Sequence, residues 1–307
     1  MSTYILRKGV SSLLDLKDGY LGLGSFAVGA KTVYFVDGNI GVSGDGTSWE
    51  QAIRTLAAAI TLSNADIASG KYGWAARNVI FVRGDTITEN LTVLPNKCDV
   101  IGCGSYDETP TAGIRGIHPI GSGAYMGTRF INIFFDTAGA GGNIITVPTT
   151  TSGLSFLNCT FDAKVGAGTL AAGSAIVASG VCQLTVKDCR FIGVYTDSVI
   201  ELLTGEFNDL LIQGNIVQGA DVGIEVVAAT TSEGAGYIID NYVFTTGCGI
   251  KDSSGIMFIA NNRIVTGGTN ATGGTNGLVD GAGKSLGNIV SFSNAENVLT
   301  PAAGALA

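Results

Sequence analysis

Short apolar runs alternate with polar residues along most of this chain, and the runs end at Asn, Asp or Gly. The stretch LSFLNCTFDA at 154–163 is followed thirty residues later by LTVKDCRFIG at 184–193. Both contain one six-position frame: apolar, any residue, Asn/Asp/Gly, Asn/Cys, any residue, apolar. Period-two alternation that ends at a turn residue is typical of a strand followed by a turn. The repeated unit is therefore predicted to be β rather than helical.

The same frame recurs along the chain at intervals of 21 to 30 residues. Clear copies are IQGNIV (212–217), IIDNYV (238–243) and IANNRI (259–264); looser copies are VIGCGS (100–105), FINIFF (130–135) and SLGNIV (285–290). A period in this range indicates a repeat architecture. One unit cannot bury its own apolar face, so successive units are expected to stack.

Stacking would place the fourth positions of successive frames above one another, about 4.8 Å apart. These positions are Cys103, Ile133, Cys159, Cys189, Asn215, Asn241, Asn262 and Asn288. Stacked Asn side chains can exchange amide hydrogen bonds with their neighbours. We therefore predict one structural ladder, made by the four Asn residues and continued by Cys159 and Cys189.

A helix is predicted near residues 48–63, before the first repeats. Ser48 and Gln51 have the spacing of a capping box, and Trp49, Ala52, Ile53, Leu56 and Ile60 recur at helical spacing. Such a helix would cover the open end of a strand stack, because bare sheet edges invite association.

The stretch TVYFVDGNIGVSGDGTSWEQAIRTLAAAI at 32–60, with the frames that follow it, resembles the pectin-lyase-like superfamily. The resemblance implies an all-β fold, a right-handed single-stranded parallel β-helix (solenoid) with an N-terminal capping α-helix. It divides the chain into an attachment or oligomerisation segment at 1–30, the β-helix domain at 31–298 and a C-terminal tail at 299–307.

Composition and charge exclude several classes of partner. Charged residues make up 14% of the chain and the net charge is −8, with no cluster of Lys or Arg, so nucleic acid is not expected as a partner. No apolar run is long enough to span a bilayer, so no membrane insertion is expected. Asp15 interrupts the N-terminal apolar stretch, and we expect no signal peptide.

The six cysteines lack the paired spacing of a disulfide framework or a zinc site and are expected to be buried apolar fillers. No motif indicates a metal or another cofactor. The only histidine, His118, lies beside a proline and is expected in a loop rather than as a general base.

The best catalytic candidates are carboxylates in two related stretches, YTDSVIEL at 195–202 and GADVGIEV at 219–226. If these stack in register, Asp197 lies beside Asp221, and Glu201, Glu225 and Lys251 form a column. Paired carboxylates about 5 Å apart could divide acid and nucleophile roles in a glycosidase. The alternative is an outward-facing stripe in which Lys251 offsets carboxylate repulsion.

The mean hydropathy of +0.37 suggests weakly polar surface that belongs in an interface. Small residues at 166–180 and 225–236 are expected to pack between three stacks. Trimeric β-helices of this kind are similar to bacteriophage tail spikes, fibres and capsid-decorating proteins. We therefore expect a homotrimeric virion structural protein assembled in the host cytoplasm, whose partners are capsid or tail proteins and a host surface glycan.

The sequence is also compatible with two other functions. The first is a polysaccharide-degrading hydrolase or lyase that acts on a host surface glycan. A cell-surface adhesin is less favoured because no export signal is found.

Overall fold

The computed structural model describes residues 30–70, 76–104, 112–137, 141–163, 171–227, 230–231, 236–255, 257–266, 278–280 and 285–292. This part of the chain is all-β apart from one helix, and its paired strands all run parallel. The predicted segments 1–30, except for its last residue, and 299–307 lie outside the described residues.

The strands are short, and most contain two to eight residues. The first ten are β1 (Ala30–Asp37), β2 (Arg77–Arg83), β3 (Thr86–Thr88), β4 (Cys98–Gly102), β5 (Gly113–Arg115), β6 (His118–Pro119), β7 (Tyr125–Met126), β8 (Thr128–Ile131), β9 (Phe134–Asp136) and β10 (Ile145–Val147). The next ten are β11 (Thr151–Leu157), β12 (Thr160–Asp162), β13 (Ala171–Ala172), β14 (Ile176–Ser179), β15 (Cys182–Lys187), β16 (Arg190–Ile192), β17 (Val194–Tyr195), β18 (Ser198–Leu203), β19 (Gly205–Glu206) and β20 (Leu210–Gln213). The last nine are β21 (Ile216–Val226), β22 (Thr230–Thr231), β23 (Gly236–Ile239), β24 (Tyr242–Asp252), β25 (Met257–Ala260), β26 (Arg263–Thr266), β27 (Leu278–Asp280), β28 (Ser285–Leu286) and β29 (Ile289–Phe292).

Two large sheets contain nearly all of these strands. Sheet 1 has the order β1-β2-β4-β8-β11-β15-β20-β23-β25-β28, with β7 beside β11. Sheet 2 consists of two rows, because the long strands β21 and β24 pair in one row through their first halves and in the other through their second halves. Row 2a is β3-β5-β9-β12-β16-β21-β24-β26-β29, and row 2b is β6-β10-β14-β18-β21-β24-β27.

The chain visits sheet 1, row 2a and row 2b in turn and then returns to sheet 1 beside its previous strand. We call one such pass a rung. Phe156 pairs with Phe130 on one side and with Val186 on the other, and Val186 pairs in turn with Ile212. These residues are the first positions of successive frames, so the repeat in the sequence corresponds to strand register. The arrangement is compatible with a parallel β-helix.

Apolar side chains from the three rows meet in one interior core. Aromatic rings form its centre: Phe135, Phe161 and Phe191 stack at centroid separations of 5.0 and 4.9 Å, and Phe130 stacks on Phe156 at 5.5 Å. All five rings are fully buried. Offset aromatic pairs add stabilisation to the burial of their area.

The helix α1 (Leu56–Ala68) begins eight residues later than residue 48, where the sequence pattern placed its start. The N–H of Gln51 does donate to Ser48 Oγ at 3.2 Å, but this bond closes a turn. Ile53 cannot be helical, because its backbone pairs with β1 through N–H to Phe35 C=O at 2.8 Å. The helix N-cap is Thr55, whose hydroxyl accepts from the N–H of Ala58.

Glu89 provides a second cap for α1 from a distant part of the chain. Its Oε1 accepts from the N–H of Leu56 at 2.8 Å, and its Oε2 accepts from the N–H of Ala57 at 3.0 Å. Burial raises the pKa of Glu89 by more than these two donors lower it. A carboxylate at this position satisfies two of the backbone donors that every helix N-terminus leaves unpaired.

The outer face of sheet 1 is covered by the chain itself at the N-terminal end of the stack. Phe35 and Phe81 point away from the core and pack with Ala52 and Trp49 of the segment that precedes α1. Arg83 lies over the Trp49 ring at 4.1 Å. An apolar outer face is therefore removed from water in this part of the molecule.

Candidate functional site

The structure places the Asn residues of the predicted ladder in one column, at the turn from sheet 1 into row 2a. Asn215, Asn241 and Asn262 are each 1% exposed, and Asn288 follows them at the C-terminal end. Side-chain amides in such a position must be hydrogen-bonded, because a buried polar group without a partner costs about 1–3 kcal/mol.

Asn215, Asn241 and Asn262 donate the same two bonds, one to the next Asn of the column and one to a C=O of the preceding rung. Asn241 Nδ2 donates to Asn262 Oδ1 at 2.9 Å and to the C=O of Ile212 at 3.0 Å. Asn241 Oδ1 accepts from the backbone N–H and the Nδ2 of Asn215, at 3.0 and 2.9 Å. Asn262 repeats this pattern towards Asn288 and Ile238. The column ties the turn of each rung to the turns on both sides.

Cys159 and Cys189 occupy the same column and imitate part of the Asn pattern. Cys189 Sγ lies 3.4 Å from the C=O of Phe156, and its backbone N–H donates to Asn215 Oδ1 at 2.9 Å. Cys159 Sγ lies 3.5 Å from the C=O of Phe130. Burial, together with the adjacent Cys159 thiol, raises the pKa of Cys189 well above its usual value. Both side chains are buried and serve structure.

The third position of the frame is explained by backbone conformation. Seven frames have a positive φ there: Asn132 (54°), Asn158 (52°), Asp188 (53°), Gly214 (68°), Asp240 (59°), Asn261 (56°) and Gly287 (65°). This left-handed region is open to Gly and tolerated by Asn and Asp, whereas β-branched residues avoid it. The restriction of this position to Asn, Asp and Gly was visible in the sequence, but its cause was not.

The candidate carboxylates lie on the outer face of row 2b. Glu201 pairs with Glu225, and Glu225 pairs with Lys251, so the three side chains form the expected column. Asp197 and Asp221 precede Glu201 and Glu225 by four residues, Asp197 directly before β18 and Asp221 within β21, and both are exposed. The catalytic role of these four carboxylates stays a prediction.

The two Glu side chains have different electrostatic surroundings. Burial raises the pKa of Glu201, and the negative charges of Glu225 and Asp197 raise it further. Burial also opposes ionisation of Glu225, but the bonds from Lys251 and Ser198 outweigh it and lower the pKa. Lys251 Nζ donates to Glu225 Oε1 at 2.7 Å, and Ser198 Oγ donates to Oε2 at 2.5 Å. Such a pair can divide the roles of proton donor and carboxylate.

His118 is in a strand and not in a loop, which corrects the expectation from its neighbouring proline. It lies in β6, pairs with Ile145, and is fully buried. Its Nδ1 accepts from the N–H of Leu91 at 3.0 Å, and its ring meets the Phe135 ring at 5.9 Å. Burial lowers the pKa of His118 to about 4. An imidazole held this way supports the backbone of a neighbouring segment.

One of the two small-residue stretches expected between subunits, 166–180, is placed differently in its described part, whereas half of the other, 225–236, lies outside the described residues. Residues 172–178 are buried within the chain, with Ala172, Ala175 and Ala178 inaccessible to solvent. They are buried by their own rungs and the segments around them, so they cannot pack against another subunit. Residues 166–170 of the same stretch lie outside the described residues.

The structure also contains an ionic cluster around a buried Asp that the sequence pattern did not predict. Asp99 is inaccessible to solvent and lies between Arg77, at 2.5 Å, and Arg129, at 2.6 Å. Arg129 binds it through both Nε and a terminal nitrogen. Residues 22 and 30 positions apart meet here only because strands β2, β4 and β8 are adjacent.

Two searches of the described residues give no further candidate. They contain no group of three or more His, Cys, Asp or Glu side chains placed to hold a metal ion. Within the same residues, no helix has the length and apolar character needed to cross a membrane.

Comparison with known proteins finds no match to a family, to a curated sequence or to a solved structure.

Proposed function

We propose that this chain is a right-handed parallel β-helix of the pectin-lyase-like type and serves as a homotrimeric structural protein of a virus particle. In this role it decorates a capsid or forms part of a tail fibre or spike, where it stabilises the particle or contacts a host surface. The observation that supports the proposal is the column of stacked turns, in which the bonds of Asn215, Asn241 and Asn262 join each of the C-terminal rungs to the next, as far as Asn288.

A stack of this kind is expected to be stiff. Stacked rungs bury a continuous core, so such a molecule grows in one dimension and resists bending without needing a large domain. Interior polar side chains that are fully paired favour one register over others. A rod with a fixed register suits a spike or a decoration that must keep its shape outside a cell.

The proposal is tested by native mass and by location. The purified chain should have three times the monomer mass of 31.3 kDa, and antibody against it should label purified virus particles from the source organism at fixed, repeated positions. A monomeric chain would contradict the trimer, and labelling of host envelopes without any virus particle would contradict the virion role.

A second candidate function is the cleavage of a host surface polysaccharide. The opposite pKa shifts of Glu201 and Glu225, on adjacent strands, favour it. If the chain shortens a host glycan, then Glu201→Gln and Glu225→Gln should each reduce the rate at least a hundredfold. Asp85→Asn, on an exposed residue in an early rung, is the control and should leave the rate unchanged. Full activity in both Glu variants would remove these residues from consideration.

A further inference from the structure

The outer faces of the C-terminal rungs carry apolar side chains that the chain leaves uncovered. We define the C-terminal apolar edge by six of them, each between 37% and 54% exposed: Ile216, Tyr237, Tyr242, Phe244, Phe258 and Ile289. Ile216, Tyr242 and Ile289 belong to one column of row 2a, in which Arg263 is the fourth member. Tyr237 and Phe258 are neighbours on sheet 1, with ring centroids 6.0 Å apart.

This edge differs from the same column in earlier rungs. In the two rungs before Ile216 this column holds Thr160, which is buried, and Arg190. In the rung before those it holds Phe134, which is apolar but only 7% exposed. At the N-terminal end of the stack, the apolar outer face of sheet 1 is covered by Trp49 and its segment. The described residues contain no such cover over the C-terminal apolar edge. The six side chains expose roughly 500 Å² in all, which reaches the size of patches that mark interaction sites.

The distribution of charge indicates which surface of the chain can contact another copy of the same chain. The chain has a net charge of −8, so two copies repel unless the surfaces in contact are close to neutral. Arg263 and Asp240, which are exposed beside the edge, carry opposite charges, and the six members of the edge are apolar. Among the described residues, the outer face of row 2b instead carries Glu201 and Glu225 beside Lys251, with Asp197 and Asp221 four residues before the two Glu residues. Tyr, Phe and Arg are the residues enriched in protein interfaces, whereas Asp and Glu are depleted.

Shape indicates how many copies can meet. The edge occupies two faces, sheet 1 and row 2a, on either side of the turn that contains Asp240 and Asn241. A patch that wraps a corner of a rod can point towards a threefold axis, where each copy gives one face to each neighbour. Parallel rods of the same protein also share one rung spacing of about 4.8 Å, so their outer columns can interlock.

We propose that the C-terminal apolar edge is the contact through which copies of this chain form the trimer. The inference rests on the proposed function for the trimer and adds the face that makes it. It assigns the edge to a second and third copy, rather than to a glycan or to an unrelated protein.

The test is the dissociation of the native oligomer on dilution, followed by native mass spectrometry and light scattering. In the double variant Tyr242→Ser with Phe244→Ser, the concentration at which half of the protein is monomeric should rise at least a hundredfold. The matched control is Val194→Ser with Met126→Ser, which removes two side chains of similar exposure elsewhere on the stack. The control should dissociate as the wild type does, and both variants should keep the far-ultraviolet spectrum of the wild type.

The outcomes separate the two proposals. A wild-type chain that is monomeric at all concentrations overturns both the trimer and its interface. A wild-type trimer that the edge variant leaves intact overturns only the interface. Equal dissociation of the edge variant and its control also overturns it, because the effect is then not specific to this face. If the double variant fails to fold, Arg263→Glu replaces it as the test, because Arg263 is exposed in the same column. This variant must raise the concentration of half-dissociation at least tenfold.

Discussion

At the scale of single residues, the turn from sheet 1 into row 2a is specified by two adjacent positions with different physical roles. The third frame position sets the backbone, since its positive φ excludes bulky β-branched side chains. The fourth position sets the contacts between rungs, since its side chain reaches the rungs on both sides. This separation explains why the third position varies among Asn, Asp and Gly while the fourth changes from Cys to Asn along the stack.

Replacement of Asn241 by Ala should be among the most destabilising polar substitutions in the chain. It removes two donated bonds and leaves the N–H of Asn215 and the C=O of Ile212 buried without this partner. We expect the free energy of unfolding to fall by about 3 kcal/mol or more. Chemical denaturation measures the change, with Asn39→Ala on an exposed loop as the control. A loss equal to that of the control would show that the column adds no stability.

His118 should make stability depend on pH in the acidic range. Its folded pKa of about 4 lies below the unfolded value near 6.5, so the unfolded chain binds the extra proton first. The stability that neutral His118 contributes to the free energy of unfolding is fully present above pH 6.5. It is lost as the pH falls towards 4, by about 3 kcal/mol in total.

The measurement is the difference in unfolding free energy between pH 7 and pH 4 for the wild type and for His118→Asn. The Asn side chain can still accept from the N–H of Leu91 but does not titrate. The variant should therefore lose less stability on acidification than the wild type. An identical loss in both proteins would assign the acid sensitivity to other groups.

At the scale of elements, the helix α1 depends on contacts that its own sequence does not contain. Its amphipathic spacing predicted a helix in this region, and Leu56 and Ile60 are buried as that spacing requires. The predicted start of the helix was wrong, because the apolar spacing continues back through Ile53, whose backbone pairs with β1 instead. Competition between a strand bridge and a helical turn is decided by the neighbouring strand and cannot be read from local spacing.

Substitution of Glu89 should weaken α1, although Glu89 lies 33 and 32 residues from Leu56 and Ala57, the two residues it caps. Glu89→Ala should reduce the free energy of unfolding by about 1–2 kcal/mol, because two N-terminal backbone donors lose their acceptor. Glu89→Gln keeps one acceptor oxygen and should cost less. Denaturation curves test this order, and Glu50→Ala, on an exposed residue of the preceding turn, should have little effect. A Gln variant that is weaker than the Ala variant would contradict the capping role.

At the scale of the whole molecule, each rung contacts only the rungs beside it, so stability should vary along the stack. Hydrogen exchange should be slowest for the amides of Phe156, Phe161 and Phe191, which lie in the aromatic centre of the core. Amides in β28 and β29, at the C-terminal end of the described stack, should exchange at least tenfold faster in the monomer. Mass spectrometry of peptic peptides measures both regions. Uniform exchange along the stack would indicate a single cooperative unit.

The sequence alone determined the class of fold and the register. The frames repeat because equivalent positions meet in successive rungs, and this periodicity predicted the all-β class, the parallel stacking and the column that contains Cys159, Cys189 and Asn215. It also predicted that Glu201, Glu225 and Lys251 would be neighbours, since register follows directly from the period.

The tertiary structure decided every feature that depends on contacts between segments of unrelated pattern. It buried His118 against the N–H of Leu91, brought Asp99 between two Arg residues, and placed Glu89 at the start of α1. It also buried the small residues at 172–178 and left the C-terminal apolar edge open. A period fixes which residues lie above one another, because that depends only on distance along the chain. It does not fix which outer face the connecting segments cover, because that depends on where their own side chains can pack.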